Sequence, residues 1–169
     1  GLHKIKTNGY LNVHTDEQSH TKQKYWKRRL NLLLYLSPDY EKSWGGNLEL
    51  WDRTNRKLIE SISPEFNRCV IFATDDKSYH GHPRPLNCPE SSARRSLALY
   101  YYQKTNTALD ITPSHYISLP NDSLKKKLKI KLNVILLYCL AVLKRYTKLD
   151  DKNFSGISSY FRRRFNNKN

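Results

Sequence analysis

Apolar and aromatic residues occur in short runs over the first hundred residues, and clusters of Gly, Pro, Asn and Asp separate these runs. Runs of this length between such clusters are typical of β-strands. The predicted strands are 9–14, 29–36, 47–51, 58–62, 69–73 and 95–102. Because no helical period lies between them, the pattern predicts a mainly β domain, folded as a sandwich or jelly roll.

Two local features add detail to this prediction. Residues 30–36 are apolar at nearly every position, which predicts a strand that is covered on both faces. Gly45 and Gly46 precede the apolar positions of 47–50, and paired glycines there predict a tight turn into the next strand.

The pattern changes after residue 103. It predicts a β core over 1–103, a polar connector over 104–123 and a basic helical extension over 124–169. A candidate helix N-cap at 121–123 is followed by helix-forming residues to about 149. The most apolar stretch, 132–143, is shorter than the ~18–20 residues that cross a bilayer, so a transmembrane helix is not expected.

The charge of the chain is concentrated in this extension. The chain has 169 residues and a net charge of +15; from residue 124 onward, 13 Lys or Arg and 2 Asp or Glu give +11 and leave +4 for the rest. Charge alone therefore does not predict a nucleic-acid-binding protein, and no nucleic-acid partner is expected. The 3 cysteines are scattered and form no Cys-x-x-Cys pair, which favours a reducing compartment and a cytoplasmic location.

Candidate metal chemistry lies in the first predicted strand. His14 and Asp16 are two residues apart, so on a strand their side chains leave the same face and can converge on one cation. A histidine from a distant strand would complete the 2-His-1-carboxylate triad of non-haem Fe(II) oxygenases. The chain offers His80 and His82 for this position, and both would point the same way on an extended segment.

Four segments, in consistent order from residue 10 to residue 102, resemble the 2-oxoglutarate- and Fe(II)-dependent dioxygenase superfamily, in particular its prolyl 4-hydroxylase-like branch. They are the strand 10–16 with His-x-Asp, the strand 28–40 with Tyr-Leu-Ser-Pro, the Trp-Gly-Gly-Asn-Leu turn at 44–48, and the segment 66–96 with Phe-Asn-Arg-Cys-Val-Ile-Phe, His-Gly and Arg-x-Ser.

The resemblance implies a double-stranded β-helix (jelly roll) core with iron at one mouth and a C-terminal helical appendage. Fe(II) would be held by His14, Asp16 and His80, because in the family a small or polar residue follows the second histidine, as Gly81 does here. The Arg-x-Ser spacing of the family selects Arg94 over its neighbour Arg95 as the residue that holds the far carboxylate of 2-oxoglutarate. The planar guanidinium of an arginine suits this bidentate contact.

Two further residues are expected at this carboxylate: Ser96 with its hydroxyl and Tyr35 with its phenol. The implied activity is hydroxylation of a C–H bond, in a protein or peptide residue such as proline or in a small molecule. Dioxygen is the second cosubstrate, succinate and carbon dioxide are released, and ascorbate is a candidate cofactor. The alternative is a non-catalytic or truncated jelly-roll module that binds a partner or a membrane through its basic tail.

The chain departs from the family in one respect. Only about a dozen residues precede His14, where the family has helices and strands that pack on the larger sheet. Either the chain is a fragment that lacks this part, or it is a minimal version, in which the apolar stretch 132–143 is expected to cover that sheet instead. The rival interpretation is that the basic segment 125–131 lies on an anionic membrane surface, with the arginines at 162–164 contacting phosphate groups. The sequence predicts no oligomeric state.

Overall fold

The apolar runs of the sequence form antiparallel strands in two facing sheets. The computed structural model describes residues 1–20, 23–54, 56–110 and 112–146. Its elements in chain order are β1 Leu2–Ile5, β2 Leu11–Thr15, β3 Trp26–Tyr35, a 3-10 turn Lys42–Trp44, β4 Leu48–Trp51, β5 Leu58–Ile62, β6 Cys69–Ala73, β7 Tyr79–His82, β8 Arg94–Lys104, β9 His115–Tyr116 and α1 Leu124–Tyr146.

The strand order identifies the architecture. One sheet has the order β1-β8-β3-β6 and the other β5-β4-β7-β2-β9. Strands that are distant in sequence are neighbours in each sheet, as in a jelly roll, in which the chain crosses repeatedly between the two sheets. The prediction of a mainly β, double-stranded β-helix with a C-terminal helix is confirmed.

The register of three strand pairs brings the candidate residues together. His14 of β2 lies opposite His80 of β7, and Tyr35 of β3 lies opposite Ser96 of β8. Directly opposite residues of antiparallel strands share a face, so each pair meets on one side of its sheet. Leu50 of β4 lies opposite His80 on the other side of β7, which places β7 between the two strands.

Strand ends differ from the prediction where a partner strand decides them. β3 begins at Trp26 because that residue pairs with Lys104, which also extends β8 beyond the predicted end at 102. β1 and β7 were not predicted, since neither contains a run of apolar residues. The predicted connector 104–123 contains β9, which pairs with β2 at the edge of the five-stranded sheet. This part of the chain therefore belongs to the β fold.

The predicted two-sided cover of the strand 29–36 is wrong for the described part of the chain. Asn31 and Tyr35 are buried between the sheets, but Leu30 is 40% exposed on the opposite face. Its neighbours on that face, Ile71 and Leu99, are 60% and 41% exposed. The unbroken apolar run thus includes an outer face that the described residues leave open to solvent.

Helix α1 begins at the predicted N-cap, where the Ser123 Oγ accepts a hydrogen bond from the Lys126 N–H at 3.3 Å. It packs on β9, at the edge of the five-stranded sheet, with Ile130 buried. The expected cover of the larger sheet by 132–143 stays a prediction, because the side chains of 140–143 lie outside the described residues. Within the described chain, no helix is both long and apolar enough to cross a membrane. The predicted end of the helix near 149 and the arginines at 162–164 lie outside the described residues.

Candidate metal centre and cosubstrate pocket

Three side chains that can bind a metal meet at one end of β2. His14 lies in β2, Asp16 follows the strand directly, and His80 comes from β7. The Nε2 atoms of His14 and His80 lie 3.4 Å and 3.6 Å from the carboxylate oxygens of Asp16. One ligand atom from each residue lies within 4.8 Å of the others, a group that could hold a metal ion.

Backbone carbonyls fix the orientation of both imidazoles. The Nδ1 of His14 lies 2.9 Å from the carbonyl oxygen of Asn12, and the Nδ1 of His80 lies 3.0 Å from that of Ser78. A carbonyl oxygen can only accept, so each Nδ1 donates, and in the neutral form of each ring Nε2 is the atom that can bind a metal. Metal-binding histidines are commonly held in this way. Both Nε2 atoms therefore face the same carboxylate.

The electrostatics of the cluster favour metal binding. Burial opposes ionisation of Asp16, but its hydrogen bond with His14 and the charges of both imidazoles hold its pKa well below the usual range. Burial first, and then the charge of His14, lowers the pKa of His80 to about 4. At neutral pH the cluster thus offers a carboxylate and a neutral imidazole from His80, which are the forms that bind a metal.

Two residues of β3 hold the Asp16 carboxylate in place. Asn31 donates its amide N–H to Asp16 Oδ2 at 2.5 Å, and Arg28 Nη1 lies 3.0 Å from the same oxygen. The Arg28 guanidinium also lies 4.2 Å from the centre of the Tyr100 ring, which fixes it against the inner face of β8. The carboxylate is therefore oriented by the opposite sheet.

A second buried group lies around Arg94, the first residue of β8. Arg94 is 4% exposed and donates from Nε to the carbonyl oxygen of Gly46 at 2.8 Å and from Nη2 to the Tyr35 hydroxyl at 3.3 Å. Arg95 points to the other face, where it lies 3.9 Å from Asp39 with its side chain 39% exposed. The structure thus places Arg94, and not Arg95, inside the domain.

The Gly-Gly turn makes room for this arginine. Gly46 has a φ of 75°, and a β-carbon at this position would lie 2.7 Å from Leu86 Cδ1 and 3.1 Å from Arg94 Cδ. A larger residue would therefore force Leu86 to move and would press on the Arg94 side chain. The predicted tight turn at Gly45 and Gly46 is confirmed, and its second glycine also shapes the pocket.

Buried polar atoms near Arg94 fit an anionic ligand. Among the described residues, Ser96 Oγ and His82 Nδ1 have no hydrogen-bond partner, although both residues are buried. Natural proteins seldom leave such atoms unpaired, because they have lost their contact with water. A carboxylate held by the Arg94 guanidinium could accept hydrogen bonds from both. The residues present therefore fit the far carboxylate of 2-oxoglutarate.

Strand β3 contacts both the metal-binding cluster and the buried group around Arg94. Asn31 contacts the metal-binding carboxylate and Tyr35 contacts Arg94, and these two residues are four apart on one face of β3. That separation is about 13 Å along a strand. Both groups therefore lie along one inner face of β3.

A comparison with protein families agrees with this arrangement. The model of the 2OG-Fe(II) oxygenase superfamily matches residues 1–102, more than half of the chain. The chain belongs to this superfamily. Membership implies Fe(II) and 2-oxoglutarate as cofactor and cosubstrate, and the clustered His14, Asp16 and His80 could hold the iron.

Two curated relatives of this chain are named prolyl 3-hydroxylases. The chain is 29% identical to the prolyl 3-hydroxylase OGFOD1 of Mus musculus over 79 residues, which is 44% of this chain and 14% of that protein. It is 26% identical to the OGFOD1 of Xenopus laevis over 103 residues, which is 56% of this chain and 20% of that protein. The predicted likeness to prolyl hydroxylases is confirmed, over a small part of each relative.

Among solved structures, prolyl 4-hydroxylases from Phytophthora capsici match with a TM-score of 0.46 at 17% identity, over 85% of this chain and 44% of that one.

Some residues of this candidate site were not predicted from the sequence. Arg28 and Asn31 contact Asp16, and Tyr116 of β9 stacks on the His14 ring with 4.9 Å between centroids. The single amide within an apolar run was a usable signal for Asn31, since a buried polar residue requires a partner. Tyr116 gave no such signal, because it lies in a polar segment and reaches His14 only through strand pairing.

Proposed function

We propose that this chain is an Fe(II)- and 2-oxoglutarate-dependent hydroxylase that acts on a residue of a protein or peptide, with proline as the first candidate. One observation carries the proposal. The Nε2 atoms of His14 and His80 face the Asp16 carboxylate, at one end of an interior that also contains the buried guanidinium of Arg94. The names of the relatives, which are prolyl hydroxylases, support proline as the target.

The roles of the residues follow from their contacts. His14 and His80 would bind the metal through Nε2 and Asp16 through a carboxylate oxygen, while Asn31 and Arg28 keep that carboxylate ionised and oriented. When bound, Fe(II), 2-oxoglutarate and dioxygen together supply the oxidising chemistry that hydroxylates a C–H bond and releases succinate and carbon dioxide.

The cosubstrate contacts are proposed for the second group. Arg94 would hold the far carboxylate, and the Ser96 hydroxyl would donate a hydrogen bond to it. Tyr35 fixes the guanidinium through its hydroxyl, and burial raises the pKa of this phenol, so it remains a neutral hydrogen-bonding group. Ascorbate, as a reductant that maintains Fe(II), remains part of the proposal.

Aromatic rings would limit the access of water to the metal. Tyr116 stacks on His14, and the Phe72 ring lies 4.8 Å from that of His80. These rings come from β9 and β6, which belong to different sheets. Excluding water from the metal prevents side reactions of an oxidising centre. The opening that remains would select the substrate.

An anaerobic titration tests this proposal. Adding Fe(II) and 2-oxoglutarate to the protein should give a weak visible absorption band, because both must meet at one centre. The His14→Ala variant should lose the band and lose Fe(II) binding. The Arg94→Ala variant should bind Fe(II) normally but require much more 2-oxoglutarate, while the matched control Arg95→Ala should behave as the parent.

Turnover provides the second readout. Succinate formation in air should be stimulated by a proline-containing peptide, which should gain the mass of one oxygen atom. No band and no Fe(II) binding in the parent protein would defeat the proposal and favour the non-catalytic jelly-roll module. Equal behaviour of Arg94→Ala and Arg95→Ala would defeat the assignment of the cosubstrate pocket.

A separate observation supports a second role, for helix α1. Leu128, Leu132 and Ile135 are more than half exposed, and they lie on one side of the helix with Leu124 and Tyr138. The exposed Lys125 borders this apolar row, and the exposed Lys131 lies within it. Helices with an apolar row beside lysines lie on anionic membrane surfaces. We propose that α1 binds an anionic lipid surface.

Vesicle sedimentation tests the role of α1. The protein should sediment with phosphatidylcholine vesicles that contain phosphatidylserine, and less with phosphatidylcholine alone. The Leu128→Ser and Ile135→Ser substitutions together should reduce this binding, while Ile71→Ser, on the exposed outer sheet, should leave it unchanged. Equal binding to both kinds of vesicle, or no effect of the α1 substitutions, would contradict the role.

A further inference from the structure

His82 is a buried histidine that the metal cluster does not use. It is 5% exposed and lies two residues after His80 on β7, so both imidazoles leave the same face of the strand. The group that could hold a metal contains His14, Asp16 and His80 but not His82. A separation of two residues along a strand is about 7 Å, too far for His82 to share the metal with His80.

The strand register places His82 toward Arg94. Leu50 lies opposite His80 and Glu49 opposite Gly81, so the chain preceding β4 approaches His82. That preceding segment contains Gly46, whose carbonyl oxygen accepts the hydrogen bond from Arg94 Nε. Gly46 and His82 also line one cleft. Gly46 thus connects the two residues, because it lines a cleft with His82 and accepts the hydrogen bond of Arg94.

The Nδ1 atom of His82 is available to a ligand. In the tautomer with its proton on Nδ1, the imidazole can donate a hydrogen bond from this atom. This nitrogen has no hydrogen-bond partner in the described residues. A buried donor beside a guanidinium is suited to an anion that the guanidinium holds.

We propose that His82 is a specificity-determining residue for the cosubstrate, donating its Nδ1–H to the far carboxylate of 2-oxoglutarate while Arg94 holds the same group and Ser96 donates from the other strand. The inference rests on the proposed function, since it requires that the interior binds a 2-oxo dicarboxylate. It adds a donor on β7 to the donors on β8. These donors are fixed by strands of both sheets. Their positions therefore set how far from the metal the far carboxylate of a ligand can bind.

This arrangement predicts selectivity by chain length. Oxaloacetate is one carbon shorter than 2-oxoglutarate, so its far carboxylate cannot reach His82 and Arg94 while its 2-oxo acid end remains at the metal. 2-Oxoadipate is one carbon longer and would crowd the same donors. Removing the His82 donor should therefore weaken 2-oxoglutarate binding most and reduce its advantage over both other acids.

Two substitutions at one position test the proposal. His82→Leu removes the donor and keeps the volume, whereas His82→Asn keeps a donor near the place of Nδ1. Calorimetric titration of the Zn(II)-loaded full chain with 2-oxoglutarate measures binding without turnover. A hydrogen bond to a charged group is worth a factor of roughly 10–100 in affinity. We expect the dissociation constant to rise by about that factor in His82→Leu and by less than about threefold in His82→Asn.

Metal binding separates this role from a merely structural one. Zn(II) affinity should be unchanged in both variants, and the preference for 2-oxoglutarate over 2-oxoadipate should fall in His82→Leu and be restored in His82→Asn. Equal 2-oxoglutarate affinity in the parent and His82→Leu would overturn the inference, as would equal losses in both variants. If the Zn(II)-loaded parent binds no 2-oxoglutarate at all, the proposed function itself fails.

If the His82 variants do not fold, a measurement on the parent protein tests the same inference. With ¹⁵N-labelled histidine and Zn(II), the Nδ1 resonance of His82 should keep its attached proton and shift when 2-oxoglutarate is added. The Nδ1 resonance of His20, which does not belong to the cluster of His14, Asp16 and His80, should not shift. No shift of the His82 resonance at saturating 2-oxoglutarate would overturn the inference.

Discussion

The Gly-Gly turn allows a prediction that isolates the shape of the Arg94 pocket. Gly45 and Gly46 have φ values of 70° and 75°, which residues with a β-carbon rarely adopt. A β-carbon at Gly45 would meet nothing within 4 Å, whereas one at Gly46 would lie 2.7 Å from Leu86 Cδ1 and 3.1 Å from Arg94 Cδ. Alanine at each position therefore adds the same methyl group, with a clash at only one.

The magnitudes follow from these contacts. Backbone strain at a positive φ costs about 1–3 kcal/mol for a residue other than glycine, and both variants carry this cost. An inserted methyl in a packed core costs about 1–3 kcal/mol more, and only Gly46→Ala carries that. At ~2–4 °C per kcal/mol for a chain of this size, Gly46→Ala should melt about 2–12 °C below Gly45→Ala.

Calorimetric melting and 2-oxoglutarate titration would measure the two consequences. Because only the methyl at Gly46 touches Arg94, 2-oxoglutarate affinity should fall about tenfold or more in Gly46→Ala and stay near the parent value in Gly45→Ala. Equal losses of stability, together with equal 2-oxoglutarate affinity in both variants, would refute the role that we assign to Gly46.

Two other predictions concern the Asp16 carboxylate and the buried imidazoles. Asn31→Leu removes the amide donor to Asp16 Oδ2 and should weaken Zn(II) binding about 10–100-fold in calorimetric titration; unchanged affinity, or an equal loss in the exposed control Asn87→Ala, would contradict this. In the metal-free protein, folded His82 takes up its proton near pH 3 and the unfolded chain near 6.5, so the unfolded state binds more protons between these values. The free energy of unfolding should therefore fall, by an amount on the order of several kcal/mol, as pH decreases from about 6.5. His82→Leu should flatten the slope of urea-measured stability between pH 4 and 7, and an unaltered slope would be evidence against the buried neutral imidazole.

Local patterns were sufficient to predict much of the fold. Strands β5 and β6 have the predicted bounds because apolar runs between turn residues define both of their ends. The pair His14 and Asp16 could be placed on one side of a strand from the alternation of side chains alone. The N-cap at Ser123 could be read from the change of composition at the start of α1.

Choices between neighbouring residues needed the tertiary structure. Alternation gives His80 and His82 the same face, and only the pairing of His80 with His14 puts one of them at the metal cluster. The family pattern favoured Arg94 over Arg95, and the fold shows the physical basis: Arg94 faces the second sheet and Arg95 faces solvent. The short strands β1, β7 and β9 exist because a longer partner supplies their hydrogen bonds.

The sequence by itself thus determined which chemical groups this protein carries and which of them share a strand face, because side-chain alternation is a local property of the backbone. The tertiary structure alone decided that Asn31 and Arg28 hold Asp16, that Gly46 makes room for Arg94, and that the buried His82 lines a cleft with Gly46. Those relations join residues of different strands, and their distances depend on register and on the packing of the two sheets, which no local pattern encodes.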